Sequence, residues 1–334
     1  MPPVPVSIVI PCFRSHGTLP ELVARLDRVM PACADRHEIW LVVDDGEAAT
    51  WQTASGLAAT HPSVRAIRLS RNYGQHNALV AGLRAARHDV IVTMDDDLQH
   101  PPEQIPALLQ ALTGDVDLVY GVAAHEEHGA LRSLASRTVK MAMARMLGVR
   151  HARQLSAFRA FRAHLIAGFD QIAGPHTSVD VALSWGTTSV AAVTVPMNQR
   201  ANGKSGYTLR TLIRYTVNML LGYSTLPLRL VTWIGLAVGA IGLALFARLA
   251  YLYFTGSTTV AGFTTIASAV AVFAAAQLIA LGVLGEYVGR IHTAGMGRPT
   301  YLVRETAGAD AATDPVIGLP EQPAGRMAAG AAGR

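Results

Sequence analysis

Val90-Ile-Val-Thr-Met-Asp-Asp-Asp-Leu-Gln-His-Pro-Pro-Glu103 shows in one segment the pattern on which the N-terminal part of the chain is built. A short β-rich apolar run ends in three consecutive carboxylates, and Pro101 and Pro102 then mark a helix start, so the segment reads as a buried strand, a polar crossing and a helix. The same alternation extends outward from Val6 to about Gly121, with strands expected at Val6–Pro11, Glu38–Asp44, Val64–Leu69, Val90–Asp95 and Leu118–Gly121. Thr18-Leu19-Pro20-Glu21 reads as a capping box with Pro in the first turn, opening a helix to about Met30. Further helices are expected over about Gln75–Ala86 and Pro102–Leu112. Strands alternating with helices build βαβ units and an α/β fold with a parallel sheet. Ligands of such sheets bind beyond the carboxyl ends of the strands, so the residues just after each strand are the candidates for function.

The 334 residues suffice for one large domain and an appendage. Hydrophobic residues make up 51%, charged residues 15%, and the mean hydropathy is +0.29, a shift toward membrane proteins. The shift is uneven, because the charges crowd the first two thirds of the chain. A net charge of +5 suits a protein that meets anionic lipid headgroups or phosphorylated substrates. No Lys/Arg-rich run with interleaved aromatics supports a nucleic-acid partner. Cys12 and Cys33 are the only cysteines, which excludes a disulfide framework or a cysteine-rich metal site and fits reduced cytosolic thiols. The opening residues lack a basic stretch and their apolar run is too short for a signal peptide, so the N-terminus is expected in the cytosol.

The pattern changes after Tyr207. Leu209, Leu212, Ile213, Val217, Leu220 and Leu221 fall on one helical face while Arg210 and Arg214 lie off it, the pattern of a helix lying on a membrane surface or packed on the domain. From Leu230 to Ala247 there is no charge, and after Arg248 none recurs until Glu286. Since roughly 20 apolar residues cross a bilayer, the stretch accommodates two crossings, about Leu228–Tyr251 and Gly262–Leu284. Basic residues flank the pair on its outer sides (Arg210, Arg214, Arg229, then Arg290, Arg298, Arg304) and the connecting loop has none, which puts both termini in the cytosol of a plasma (inner) membrane protein. Gly235, Gly239 and Gly242 offer close helix contacts that would support a homo-oligomer. The expected organisation is a catalytic domain at 1–206, amphipathic interfacial helices at 207–227, two transmembrane helices at 228–288 and a cytosolic tail at 289–334, disordered at its end.

The three carboxylates at the end of a buried strand are costly unless something positive neutralises them, as a divalent cation bridging a diphosphate would. On an extended chain Asp95 and Asp97 point to one side and Asp96 to the other. The alternative is a solvated acidic turn, with Asp97 capping the helix that follows. A lone D-x-D is weak, but it stands within an ordered set. Val9-Ile-Pro-Cys-Phe13, Val42-Val-Asp-Asp-Gly46, Ser70-Arg-Asn-Tyr-Gly-Gln-His-Asn-Ala78 and Asp95-x-Asp97-x-Gln99 follow the successive strands. Arg200-x-x-Gly203-x-Ser205, Leu226-Pro-Leu-Arg229 and Gly285-Glu-Tyr-Val-Gly-Arg-Ile291 come after them.

In this order and spacing the chain, up to about Arg304, resembles glycosyltransferase family 2 with its GT-A fold. It is most similar to the polyprenyl-phosphate branch, which includes dolichol-phosphate mannose synthases, bactoprenol glucosyltransferases and undecaprenyl-phosphate aminoarabinose transferases. The resemblance implies transfer of a sugar from a nucleotide-sugar donor, expected to be a UDP-hexose, to a polyprenyl phosphate, with Mg²⁺ or Mn²⁺ as cofactor. It implies metal ligands at Asp95, Asp97 and Gln99, and donor contacts from Pro11, Phe13, Asp44, Asp45, Arg71, Asn72, Asp95 and Asp96. Asp44 and Asp45 would accept hydrogen bonds from the nucleobase and ribose, or else form a turn. Arg132 and Ser136, one helical turn apart, resemble the family's acceptor-phosphate pair, with Lys140, Arg159 and Ser205 beside them, and Asp97, Arg132 and Arg200 form the expected catalytic set. Asp180 is a further candidate for a positioning group.

A phosphate acceptor is already anionic and needs positive charge rather than a strong base. A polysaccharide synthase acting on a sugar hydroxyl would need that base, and its customary Gln-x-x-Arg-Trp is absent from the sequence. A non-catalytic scaffold is the remaining rival, kept in view by two departures from the family: Phe13-Arg14-Ser15 where relatives often carry Tyr-Asn-Glu, and Lys204-Ser205-Gly206-Tyr207 where they carry Ser-Lys-Tyr.

Overall fold

The computed structural model describes residues 4–44, 48–123, 155–169, 178–198, 226–255, 262–296 and 299–309. They divide into two units: one comprises everything described up to Asn198 together with 299–309, and the other comprises 226–255 and 262–296.

The first unit is an eight-stranded mixed sheet. Its strands are β1 (Val6–Cys12), β2 (His37–Val43), β3 (Val64–Leu69), β4 (Val90–Thr93), β5 (Leu118–Ala123), β6 (Arg159–Arg162), β7 (Val190–Val195) and β8 (Val303–Ala307). They lie in the order β7-β5-β6-β4-β1-β2-β3-β8. β1 runs parallel to β2 on one side and to β4 on the other, so the connections leave β1 in opposite directions and open a crevice at its carboxyl end. β6 is antiparallel to both β4 and β5, and β8 closes the far edge antiparallel to β3.

Alternation along the central strands explains the layers. Ile8, Ile10, Leu41 and Val43 turn to one face, where they pack with Leu22 and Leu26 of α1 (Leu19–Val29) and with α2 (Ala48–Thr60) and α4 (Ile105–Ala111). Val9, Trp40 and Val42 turn to the other, against α3 (Gln75–Ala85) and α5 (Val179–Gly186). Both faces are apolar and both are covered, as a parallel sheet requires, and each large apolar side chain fully buried in this way contributes about 1.5–3 kcal/mol. α3 lies so close to the sheet that a Cβ on Gly82 would fall 2.4 Å from Val9 Cγ1 and 2.9 Å from Val42 Cγ2.

The five expected strands are all present, within two residues at their ends. One difference matters for function: β4 stops at Thr93 rather than continuing to Asp95. The expected helix over 102–112 divides into a tight turn, Pro102–Gln104, and α4. The capping box at Thr18 does not form, because Thr18 is itself helical in backbone and its hydroxyl donates to the Asp96 carbonyl at 2.7 Å instead of capping α1.

The second unit is a pair of long helices, α6 (Leu226–Phe254) and α7 (Phe263–Gly295). Within α7 the stretch Val272–Thr293 is long and apolar enough to cross a membrane; the apolar stretch described in α6, Leu228–Ala244, is shorter than that. Of the two expected crossings, one helix therefore meets the requirement of length and composition among the described residues. Of the three helix glycines, Gly242 sits against Phe273 of α7, where an added Cβ would come within 2.5 Å of the ring, whereas Gly235 and Gly239 face open space. Apart from its last residues, the expected interfacial helix lies outside the described residues.

Candidate active site

The carboxyl ends of β1, β2, β3 and β4 deliver four loops to the crevice. Pro11 is buried within β1, and Phe13, just past its end, is 46% exposed with the Arg14 guanidinium 5.2 Å from its ring. The β1 loop is tied to the acidic turn by Asp96, whose Oδ2 accepts the Phe13 N–H at 2.9 Å. Burial pushes the Asp96 carboxyl up from its ordinary value and the neighbouring Asp97 charge adds to this, against the lowering effect of the Phe13 N–H. Asp96 is thus a bridge between loops. Among the described residues the two non-glycine positions with positive φ, Arg14 at 55° and Leu98 at 61°, both lie in this crevice, where strained backbone tends to collect.

Asp44 follows β2, is almost fully buried and fixes the β3–α3 loop: its two oxygens accept the Tyr73 and Gly74 N–H groups, each at 2.7 Å. Gly74 has φ 90° and ψ 152°, a conformation open to glycine alone. On this loop Arg71 stacks on Tyr73 at 4.6 Å, and the Asn72 side-chain oxygen accepts the Gly74 N–H at 3.1 Å. The result is to present Gln75 at the first turn of α3, where its amide donates to Asp95 Oδ1 at 2.7 Å.

Asp95, Asp96 and Asp97 are all half-buried and lie beyond the end of β4, with Asp96 and Asp97 in a bend. Asp97 Oδ1 accepts the Gln99 N–H at 3.1 Å, which closes a local turn; it does not cap the helix that follows, since neither Pro102–Gln104 nor α4 has a side-chain cap. Among the described residues no three His, Cys, Asp or Glu side chains already converge as metal ligands. The donor chemistry nevertheless fits a hard divalent cation, since Asp95 and Asp97 are half-buried carboxylates and oxygen donors are the ligands such a cation takes.

Arg159, expected beside the acceptor phosphate, is placed inside the sheet instead. It is 1% exposed on β6, its Nε donates to Thr93 Oγ1 at 2.9 Å, and its Nη1 pairs with Asp180 of α5. A guanidinium so committed is not presented to a phosphate. Asp45, Arg132, Ser136, Lys140, Arg200 and Ser205 lie outside the described residues.

Residues 7–167 match the model of the glycosyl transferase family 2. The undecaprenyl-phosphate 4-deoxy-4-formamido-L-arabinose transferase of Pectobacterium atrosepticum is 33% identical over 310 residues, which is 91% of this chain and 94% of the relative. That of Shewanella sediminis is 33% identical over 90% of this chain and 92% of its own. The chain belongs to glycosyltransferase family 2. The solved structure of a mycobacterial protein, 22% identical, covers 66% of this glycosyltransferase and 75% of itself with a TM-score of 0.50, in keeping with a GT-A-like sheet. Glucosyl-3-phosphoglycerate synthase of Mycobacterium tuberculosis, solved with Mn²⁺ and uridine-diphosphate-glucose, is 20% identical over 65% of this chain and 77% of its own, with a TM-score of 0.48.

Two features of the glycosyltransferase's site went unread in its sequence. Gln75 reads in the sequence as a helix start within the Ser70–Ala78 motif and not as a site residue, although a polar side chain in the first turn after a strand end is well placed to reach a carboxylate on the next loop. The tie of Asp44 to Tyr73 and Gly74 spans 29 and 30 residues, and nothing local announces it.

Proposed function

We propose that this glycosyltransferase moves a sugar from a nucleotide-sugar, with a UDP-hexose as the expected donor, to a polyprenyl phosphate at the cytosolic face of a membrane. The observation that carries the reading is the gathering of Phe13, the Asp44-braced loop of Arg71 and Asn72, and the Asp95-to-Gln99 turn at one crevice. Similarity over nine-tenths of the chain to undecaprenyl-phosphate sugar transferases supports the acceptor class.

Pro11 and Phe13 would wall the base, Asp44 and Asp45 would accept from base and ribose, and Arg71 and Asn72 would meet the nucleotide. Asp95, Asp97 and Gln99 would hold Mg²⁺ or Mn²⁺, with Asp96 locking their turn to the β1 loop. When bound, such a cation stabilises the charge that develops on a departing diphosphate. Arg132, Ser136, Lys140, Arg200 and Ser205 would hold the acceptor phosphate, whose oxygen forms the new bond to the anomeric carbon. The bond to the nucleoside diphosphate breaks with its electron pair, so a single displacement inverts the anomeric configuration and no protein base is consumed.

The membrane reading includes both α6 and α7 as crossings, preceded by interfacial helices at 207–227, with the catalytic domain at 1–206 on the cytosolic side together with the tail, whose strand β8 completes the catalytic sheet. Trp233, Leu243, Leu278 and Ile291 on these helices are 69%, 69%, 68% and 71% exposed, which suits lipid contact far better than water. The test is transfer in detergent from radiolabelled UDP- and GDP-sugars to undecaprenyl phosphate with Mn²⁺, comparing wild type with Asp97→Ala. A labelled lipid from one donor, lost in the variant, is expected; label on a sugar acceptor or none from any donor sinks the reading.

A further inference from the structure

Beneath the acidic turn lies a buried polar cluster that transfer chemistry does not use. Arg159 stands in register with Thr93 on β4 and with Tyr120 on β5. Its guanidinium donates to Thr93 Oγ1 at 2.9 Å and pairs with Asp180, while the Thr93 hydroxyl donates onward to the Ala157 carbonyl at 2.8 Å. Thr93 is the last residue of β4, two before Asp95, and the backbone ladder to β1 is failing there: Met94 N–H reaches Val9 O only at 3.4 Å. The side-chain bonds take over where the sheet ends.

The contacts close into a ring. Asp180 sits in the first turn of α5, whose Val179 N–H faces His76 Nδ1 at 3.5 Å in the first turn of α3. The residue before His76 is Gln75, which donates to Asp95. Starting from Asp95, the path runs through Gln75, His76, Val179, Asp180, Arg159 and Thr93 and returns two residues short of Asp95. Burial pushes the Tyr120 hydroxyl up and the Asp180 charge adds to this, while burial pushes His76 down, so neither lends its own charge to the cluster at neutral pH. Arg159 is 1% exposed and Asp180 partly exposed; taking the guanidinium out of water costs on the order of what its attraction to the carboxylate returns, and an apolar pair of similar volume is often as stable. Stability therefore does not account for the pair, whereas fixing a geometry does.

We propose that Arg159 and Asp180 are positioning residues that set the placement of Asp95, by clamping the end of β4 to the first turns of α3 and α5. The proposal rests on the reading that Asp95 and Asp97 hold the divalent cation. Supporting partners one layer out from metal ligands typically change affinity by about 10–100-fold when removed.

The experiment titrates Mn²⁺ against full-length protein in detergent with saturating UDP, following free Mn²⁺ by electron paramagnetic resonance, with thermal melting in parallel. Wild type is compared with Asp97→Ala, with the double variant Arg159→Met/Asp180→Leu, and with Thr93→Val and Thr93→Ser. Wild type is expected to bind Mn²⁺ and Asp97→Ala to lose it. The double variant is expected to melt near wild type yet bind Mn²⁺ at least about tenfold more weakly. Thr93→Val should follow it and Thr93→Ser, which keeps the hydroxyl, should not. Wild-type Mn²⁺ affinity in a folded double variant overturns the clamp while leaving the metal reading intact. Should the double variant not fold, equal affinities in Thr93→Val and Thr93→Ser overturn it. Absence of Mn²⁺ binding by wild type overturns the metal reading and the clamp together.

Discussion

Asp44→Asn separates the structural work of a buried carboxylate from its work on a ligand. Asp44 Oδ1 and Oδ2 each accept a backbone N–H at 2.7 Å, from Tyr73 and Gly74. Asparagine keeps the shape but has one acceptor oxygen, so one N–H must face the side-chain NH₂ group. A hydrogen bond to a charged group contributes about 1.5–3 kcal/mol, and leaving its buried donor unpaired costs about 1–3 kcal/mol. A net loss of about 3 kcal/mol is expected, a large part of the roughly 5–15 kcal/mol that holds a domain together. For a domain of this size each kcal/mol moves the midpoint by about 2–4 °C, so Tm should fall by about 6–12 °C. Thermal unfolding in detergent, without nucleotide, reads this through the fluorescence of buried Trp40 and half-buried Trp51. If Asp44 acted only as a ligand, Tm without nucleotide would be unchanged and only the stabilisation by added UDP would shrink. A variant melting within about 1 °C of wild type refutes the brace.

Two other perturbations test the fold around the site. Gly82→Ala drives a methyl into Val9 Cγ1 at 2.4 Å and Val42 Cγ2 at 2.9 Å and should cost about 1–3 kcal/mol by overpacking, partly recovered by adding Val9→Ala; a neutral Gly82→Ala in thermal melts contradicts that approach of α3 to the sheet. His37, at the opposite end of the sheet, is pushed below its ordinary value by burial even though Asp27 lies 3.8 Å away and pulls the other way. The unfolded chain then takes up this proton first as pH falls, so the His37 contribution is whole above about pH 6.5 and declines below it. Melting curves between pH 7.5 and 5.5 should lose less stability with acid in His37→Asn than in wild type, and equal slopes count against it.

What could be read from the sequence was what local pattern carries. The apolar runs of β1 to β5 and the acidic turn after β4 stand out because both are contiguous, and their order points to a crevice before any contact is known. The reading of Asp95 and Asp97 on one side assumes an extended chain, whereas β4 ends at Thr93 and Asp96 and Asp97 lie in a bend that leads to a left-handed Leu98. β6 was invisible since Arg159-Ala-Phe-Arg162 carries two arginines in four residues, and only its neighbours on both sides make it a strand. Arg159 reads as a cation for the acceptor phosphate because the carboxylate that keeps it inside, Asp180, is 21 positions away.

β8 gives the chain's path a practical meaning. After the long helices the polypeptide comes back to the catalytic sheet, where Ser70 N–H bonds the Leu302 carbonyl at 2.8 Å and Arg68 pairs with Glu305 at 2.9 Å. The pair of long helices is in this sense an insertion spliced into one domain, not a tail hung from it. Cutting the chain before α6 to obtain a water-soluble enzyme would also strip β3 of its neighbour and bare a sheet edge that invites aggregation. A soluble form is better sought by excising the helices and rejoining the flanks, so that the last strand still finds its place.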